Sequence, residues 1–341
     1  MSLDAETVTR YLQNEGVVPA DAVARVDTLE GGVSNRVLRV DWGDDAVVVK
    51  QPFPNLDVDD DWPADVERVH NEAAAARVFG DVAAEFDIEG VAVPDVLFED
   101  DEHVIAIEAA PRTAWTWKTD LLDGTVSESA AATIGTFLAA THEFAVDDSS
   151  LEETFESYGP FEQLRLEPYH ETVAKRHPDV AAQIRAEIRR LRESRSTLVH
   201  GDYSPKNVLV DRTGAKTTLW FLDFEVAHWG DRVFDIAFML NHLFIKAVFR
   251  PELRDKYVSA AESVWTNYQE TATVEGSFES DVVSEIGVLM LARVDGKSPV
   301  EYVQQAETKD KLRSLGKRAL RAEGATFEEF IETVRSGGEY Q

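Results

Sequence analysis

The period of the apolar residues changes once along this chain, near residue 111, and that change limits the folds open to it. Before it, "VARVDTLEGG", "SNRVLRVDWG" and "DAVVVKQ" are short β-branched runs cut by Gly-containing turns, the pattern of an antiparallel meander. Ahead of them, "DAETVTRYLQNEG" carries Val8, Tyr11 and Leu12 at helical spacing with a Gly at its end. Behind them, "PADVERVHNEAAAARVFGDVAAEF" reads as an Ala-rich helix stopped near Gly80, and "VAVPDVLFEDDEHVIAIEAAP" as two strands around an acidic turn. After "EAAPRTAW" helical spacing dominates. "SESAAATIGTFLAATHEF", opened by Ser127, and "VAAQIRAEIRRLRES" are helices, and the pattern is helical from Pro251 to near Ser336. The expectation is an α+β chain of two lobes, a sheet lobe over 1–110 and a larger helical lobe over 111–341. With 341 residues, 44% of them apolar, both lobes can bury a core.

Composition narrows the function classes. There are 64 acids against 34 bases, a net charge of -30, and only 11 of the bases are Lys. The acids are spread along the chain, as in "DVDDDWPADVE" and "FEDDEH", so they read as a surface suited to concentrated salt, where screening weakens self-repulsion. Such a surface offers nucleic acid no basic patch. The absence of cysteine excludes disulfides, thiolate metal sites and cysteine nucleophiles. No run of 18 apolar residues suggests a membrane span. "MSLDAETVTR" lacks the basic start and apolar core of a signal peptide, so a cytoplasmic protein is expected.

Four pieces could carry chemistry. In "LVHGDYSPKNVLVD" a polar turn joins two strand-like runs and sets Asp202 five residues before Asn207; an amide oxygen beside carboxylates suits Mg²⁺, although Asp and Asn also serve ordinary turns. In "FLDFE", Asp223 ends an apolar strand, with Glu225 two residues on as a second metal ligand or a solvated acid. Asp235 lies in the apolar helix "VFDIAFML", where an acid is costly unless bonded, so its expected role is to bond the backbone of the Asp202 loop. Lys50 ends "AVVVK", and Glu72 follows 22 residues later in a helix, with Glu67 as competing partner. In "LEGGVSNRV", backbone N–H groups around Gly31 and Gly32, helped by Ser34 and Asn35, could cradle phosphate. "DGKS" at 295–298 has no Gly at P-loop spacing and follows a helical run, which excludes that reading. The eight His residues show no paired ligand spacing, so zinc is not expected.

The order of these pieces, Gly turn, Lys, Glu, Asp-x4-Asn, Asp, resembles the aminoglycoside phosphotransferase and choline kinase family of the protein-kinase-like fold. "HGDYSPKNVLV" and "FLDFEVAHWGDRVFDIA" are the specific part, and the likeness covers nearly the whole chain. "VVVKQPFP", "DWPADVERVHNEA" and "FEVAHWGDRVFDIAFMLNHLF" bring it nearest to methylthioribose kinase-like sugar kinases. It departs from them in "LDFE", where that group has Asp-Pro-Glu, in Lys206, where small residues are usual, and in Arg293, a single Arg where that group has two.

The resemblance implies ATP in the cleft, its adenine on backbone around Glu108–Ala110, and Lys50, set by Glu72, on the phosphates. It implies Mg²⁺ on Asn207 and Asp223, with Glu225 as a further candidate, and Asp202 as the residue that positions and deprotonates the acceptor hydroxyl. The expected acceptor is a small molecule, a ribose derivative such as 5-methylthioribose or ribose 1-phosphate, with Lys206 and Arg293 facing it. An aminoglycoside or choline-type kinase, and a kinase-like domain that only binds nucleotide, are the competing readings. A homodimer is among the expected assemblies.

The charge reading is checked by thermal melting. The melting temperature is expected to rise with KCl into the molar range, since at 1 M the screening length is only ~3 Å. A flat or falling trend removes the high-salt reading.

Overall fold

Gly43 turns the chain back on itself at φ 55° between two eight-residue alternating runs, as a two-residue hairpin loop demands. In the computed structural model these runs are β2 (Asn35–Trp42) and β3 (Asp45–Pro52), paired antiparallel from Asn35 with Pro52 to Trp42 with Asp45. The structure describes all residues except 1, 30–33, 58–61, 147, 275, 323 and 338–341. Gly31 and Gly32 therefore lie outside the described residues.

β1 (Arg25–Thr28), β5 (Val96–Glu99) and β6 (Ile105–Glu108) complete a five-stranded antiparallel sheet in the order β1-β2-β3-β6-β5. Its two faces separate by the period of two. Leu38, Val40, Val47 and Val49 pack with Val8 and Leu12 of α1 (Val8–Asn14). Val48, Ile105 and Ile107 pack with Val69 and Ala73 of α2 (Arg68–Glu85). Lys50 shares the register of Val48 and so faces α2. Gly80 does not stop that helix, contrary to the sequence reading; α2 runs to Glu85, and the chain reverses at Asp87, φ 46°. A lone glycine costs a helix only about 1 kcal/mol, less than the burial of Phe79 and Val82 on either side returns.

The rest of the chain is mainly helical. β4 (Val91–Ala92), β7 (Trp115–Thr116), β9 (Val208–Asp211) and β10 (Thr218–Phe221) form a second sheet, ordered β4-β10-β9-β7, so a strand from within the first 110 residues joins the sheet beside the loop of Asp202. β8 (Thr197–Val199) pairs with β11 (His228–Gly230). Helices α3 (Trp117–Asp123), α4 (Glu128–Ala145), α5 (Ser149–Thr154) and α6 (Gly159–Phe161) lead into a π-helical stretch, Glu162–Glu171, then α7 (Thr172–Arg176) and α8 (Ala181–Glu193). Ser127 caps α4 by accepting from the Ala130 N–H. Around α9 (Val233–Phe249) pack α10 (Arg254–Thr271), α11 (Phe278–Asp295), α12 (Ala306–Arg321) and α13 (Phe327–Arg335). α9 is buried from Val233 to Val248, so apolar residues run round the whole helix, with Asp235, Asn241, His242 and Lys246 buried among them. Among the described residues, no helix is long and apolar enough to cross a membrane.

Two helix crossings run through glycine. A Cβ on Gly135 of α4 would stand 2.3 Å from the carbonyl oxygen of Val264 in α10, and Cβ atoms on Gly287 and Gly316 would meet each other's backbone carbonyls at 2.8 and 2.9 Å. Backbone cannot give way as a side-chain tip can. Gly135→Ala is accordingly expected to destabilise the protein by ~1–3 kcal/mol in chemical denaturation, with an unchanged denaturant slope. Wild-type stability in this variant contradicts the close crossing.

Candidate active site

The loop after β8 is held from below by a buried carboxylate. Asp235, in the first turn of α9 and fully buried, accepts from the His200 N–H at 2.6 Å and the Gly201 N–H at 2.9 Å. This is the backbone bond expected of an acid in so apolar a helix. Gly201 has φ 75°, and a Cβ there would stand 2.5 Å from the Val226 carbonyl, so the turn requires glycine. The His200 Nδ1 accepts from the Asp202 N–H at 3.2 Å, which leaves Nε2 to donate to the Leu222 carbonyl, also at 3.2 Å. Burial holds this imidazole below its ordinary pKa, so it stays neutral in that tautomer.

Asp202 emerges buried, with three donors on one oxygen. Its Oδ2 meets Lys206 Nζ at 2.8 Å, Asn207 Nδ2 at 2.8 Å and Arg165 Nη2 at 3.0 Å. Burial alone would raise this carboxyl; Arg165 and then Lys206 outweigh it and hold it below the usual range. Asn207 also donates to the Asp202 carbonyl at 2.9 Å and accepts from the Leu222 N–H at 3.0 Å, tying the loop to the end of β10. With its side-chain N–H₂ committed, the amide oxygen of Asn207 is the atom left for a cation.

Asp223 follows β10 at φ 72°, a conformation rare for a residue with a side chain. Its Oδ1 lies 3.1 Å from Lys50 Nζ and its Oδ2 3.9 Å from Lys206 Nζ. Burial opposes ionisation of Asp223, but these two ammonium groups hold its carboxyl far below the ordinary value. Lys50 also pairs with the buried Glu72 of α2, whereas Glu67 is two-thirds exposed. Burial would lower the Lys50 ammonium, and the carboxylates of Glu72 and Asp223 outweigh it. One lysine thus spans both lobes.

Glu225 is engaged elsewhere. Its Oε2 accepts from Arg68 Nε at 3.0 Å and Asn35 Nδ2 at 2.8 Å. Fully buried Arg68 also donates to the carbonyls of Asp65 (2.6 Å), Phe53 (3.0 Å) and Ser34, and Asn71 reaches the Ala227 carbonyl at 2.5 Å. Sequence reasoning did not single out Arg68, Asn71 or Arg165. An Arg next to an Ala-rich stretch was the one available signal for Arg68.

Between the lobes lies a cleft of about 270 Å³, lined by Val37, Val48, Lys50, Ile107, Leu209 and Leu222, and by Glu108 and Ala110. The Ala110 carbonyl accepts from Arg39 at 2.6 Å, and the Glu108 N–H donates to the Asp95 carbonyl at 2.8 Å. Arg293, on α11, bonds the Tyr169 hydroxyl at 3.0 Å and the Ser298 carbonyl at 2.6 Å. Away from the cleft, the fold brings together Glu67, His70 and His103, three groups able to hold a metal ion that no ligand spacing in the sequence announced.

The family model described as the phosphotransferase enzyme family matches residues 25–272. Methylthioribose kinase of Bacillus cereus strain G9842 is 23% identical over 397 residues, covering 99% of this chain and 98% of that one, and the protein of the same name from strain B4264 is 24% identical over 367 residues, covering 94% and 91%. Among solved structures, a microcompartment-associated aminopropanol kinase superposes with a TM-score of 0.55 at 17% identity, over 97% of this chain and 98% of that one. An amicoumacin kinase in complex with AMP-PNP, Ca²⁺ and Ami gives 0.53 at 14% identity, over 97% and 99%. These likenesses establish the two-lobed kinase-like fold.

The Arg68–Glu225 pair is buried, so removing one partner strands the other. Arg68→Met is expected to cost about 3–5 kcal/mol of stability. A loss under 1 kcal/mol in urea denaturation shows that the pair does not join the lobes.

Proposed function

The chain belongs to the phosphotransferase enzyme family, and from that premise we propose that this small-molecule kinase transfers the γ-phosphoryl group of ATP to a hydroxyl of a ribose derivative, with 5-methylthioribose and a ribose phosphate such as ribose 1-phosphate as candidate acceptors. The observation that carries the reading is Lys50 placed between Glu72 and Asp223, within one charge network with Asp202. A non-catalytic nucleotide-binding domain has no need of a buried carboxylate oriented by three donors.

The residues present fit Mg²⁺. The amide oxygen of Asn207 and the ionised carboxylate of Asp223 are hard oxygen donors on two segments joined by the bond from the Leu222 N–H to the Asn207 carbonyl. When bound there, the ion would neutralise charge between the phosphates. Glu225 can join only with its second oxygen, since Oε2 is taken.

Lys50 would bind phosphate oxygens, fixed by Glu72. Ser34 and Asn35 would cover them, and the apolar walls by Glu108 and Ala110 would receive the adenine. Asp202 orients the acceptor hydroxyl with the oxygen that Arg165, Lys206 and Asn207 leave free. A carboxylate held below its usual range is a weaker base than a free one, so its contribution is alignment first. Full-length likeness to methylthioribose kinases supports a ribose derivative. The solved relatives named for aminopropanol and amicoumacin keep an amine-bearing acceptor as the alternative. Cationic Lys206 beside Asp202 disfavours it.

Asp202→Ala is expected to lower single-turnover phosphoryl transfer by ~10²–10⁴-fold while nucleotide binding persists; retention of a tenth of the wild-type rate refutes the assignment. In high salt, the wild type is tested on 5-methylthioribose, ribose 1-phosphate, kanamycin and choline. Turnover of choline or kanamycin with none on any pentose sinks the ribose reading.

A further inference from the structure

Beyond Asp202, on the side away from Lys50, this very acidic chain gathers cations and almost no acids. Lys246 of α9 is fully buried, yet its ammonium meets only neutral oxygens, the His242 carbonyl at 3.2 Å and the Tyr302 hydroxyl at 3.5 Å, with the Tyr302 ring 5.3 Å away. Arg293 likewise reaches neutral groups, Tyr169 and Ser298, and its Nε is buried without a partner. Among the described residues, neither cation makes an ion pair. Lys118 stands near Lys246, and among the described residues the carboxylate facing the group is Glu301, on which Lys118 rests.

Packing connects this group to Asp202. Arg165, 3.0 Å from Asp202, lies over the rings of Tyr169 and Phe238; Arg293 lies over the same Tyr169 ring at 5.6 Å; His242 meets Phe238 edge-on at 5.2 Å. The Lys118 N–H bonds the Pro205 carbonyl in the Asp202 loop at 2.9 Å. Burial, then Lys118 and Arg293, push the Lys246 ammonium down to about 7, and burial with the surrounding cations keeps His242 neutral. Two other buried bases are paired with carboxylates. Arg190 has Glu187 and Asp231, and Lys50 has Glu72 and Asp223. Uncompensated buried charge is costly, and a chain with 64 acids could have supplied carboxylates had the role been structural.

We propose that Arg293 and Lys118, backed by the buried Lys246, form a subsite for a phosphate group on the acceptor, so that the substrate is a sugar phosphate and the product a sugar bisphosphate. The inference rests on the reading of the acceptor as a ribose derivative. The planar fork of Arg293 suits two phosphate oxygens, and Lys118 and Lys246 add point charge. In the reaction, the acceptor hydroxyl oxygen bonds to the γ-phosphorus as the bridging β–γ P–O bond breaks. ADP keeps the bridging oxygen, and the hydroxyl proton leaves by way of Asp202. The site must be supplied by a reaction that makes a phosphorylated pentose, such as phosphorolysis of a glycosidic bond.

Two measurements test this. With ADP saturating, inorganic phosphate should raise the melting temperature of the wild type and fail to do so in Arg293→Met. Kinetically, ribose 1-phosphate should be preferred over ribose and 5-methylthioribose. Arg293→Met should raise its KM roughly 10–100-fold, the loss of one charge-assisted hydrogen bond, and raise the KM of the unphosphorylated sugars far less. Lys246→Met should weaken the same substrate while raising the melting temperature of the free protein, an opposite movement that a merely structural lysine would not give. Unphosphorylated sugars turned over as well as the phosphorylated one, insensitive to Arg293→Met, would overturn the subsite and keep the ribose reading. Phosphate protection that depends on Arg293, with turnover of a phosphorylated alcohol other than a pentose, would keep the subsite and sink the ribose reading.

Discussion

Everything chemical in this protein hangs on the bond between Asp235 and the backbone of His200 and Gly201. A carboxyl group inside an apolar helix is tolerable only if its oxygens are satisfied, and here two backbone N–H groups satisfy them at 2.6 and 2.9 Å. The position near the N-terminus of α9 adds a favourable helix dipole. The constraint works in both directions. The loop cannot move without stranding a buried polar group, and α9 cannot shift without breaking the loop. Because α9 is the most buried helix of the second lobe, the packing of α10, α11 and α12 is transmitted to Asp202 and Asn207 through two hydrogen bonds.

A second set of buried charges relates the lobes to each other. Arg68 and Asn35 belong to the sheet lobe and Glu225 to the other, and Lys50 reaches Asp223 across the same cleft. Exposed ion pairs contribute little and fade with salt; the Arg68–Glu225 pair is shielded from both solvent and ions. The lobes therefore meet through an interaction whose strength does not follow the ionic strength that governs the acidic surface.

Much of this was legible in the sequence, for identifiable reasons. The strand period of two put Lys50 on the face of Val48, and the Ala run after Glu72 marked a helix that packs closely enough to present it. Asp235 was legible because an acid amid "VFDIAFML" must be bonded. Arg68, Asn71 and Arg165 were not, because each acts on a partner far away in the chain, 157 residues for Arg68 with Glu225, and an arginine on a helix carries no mark of its partner. Glu225 shows the same limit, since a carboxylate two residues past Asp223 has the same sequence whether it faces a cation or a guanidinium. The helix end near Gly80 failed because burial on both sides outweighed local propensity. The stretch 162–171 gave no periodic signal, as a π-helix carrying Pro168 matches neither the helical nor the strand template.

That stretch also sets how the chain tolerates changes in length. A π-helix bonds i to i+5 and so holds more residues per turn than an α-helix would. Arg165 and Tyr169 project from it, one to Asp202 and the other to Arg293. Losing a single residue would let the segment rewind as α-helix, and each side chain beyond the deletion would turn by about 100°. One of the two would then leave its partner. The least regular helix in the molecule is for that reason the one whose residue count is most tightly fixed.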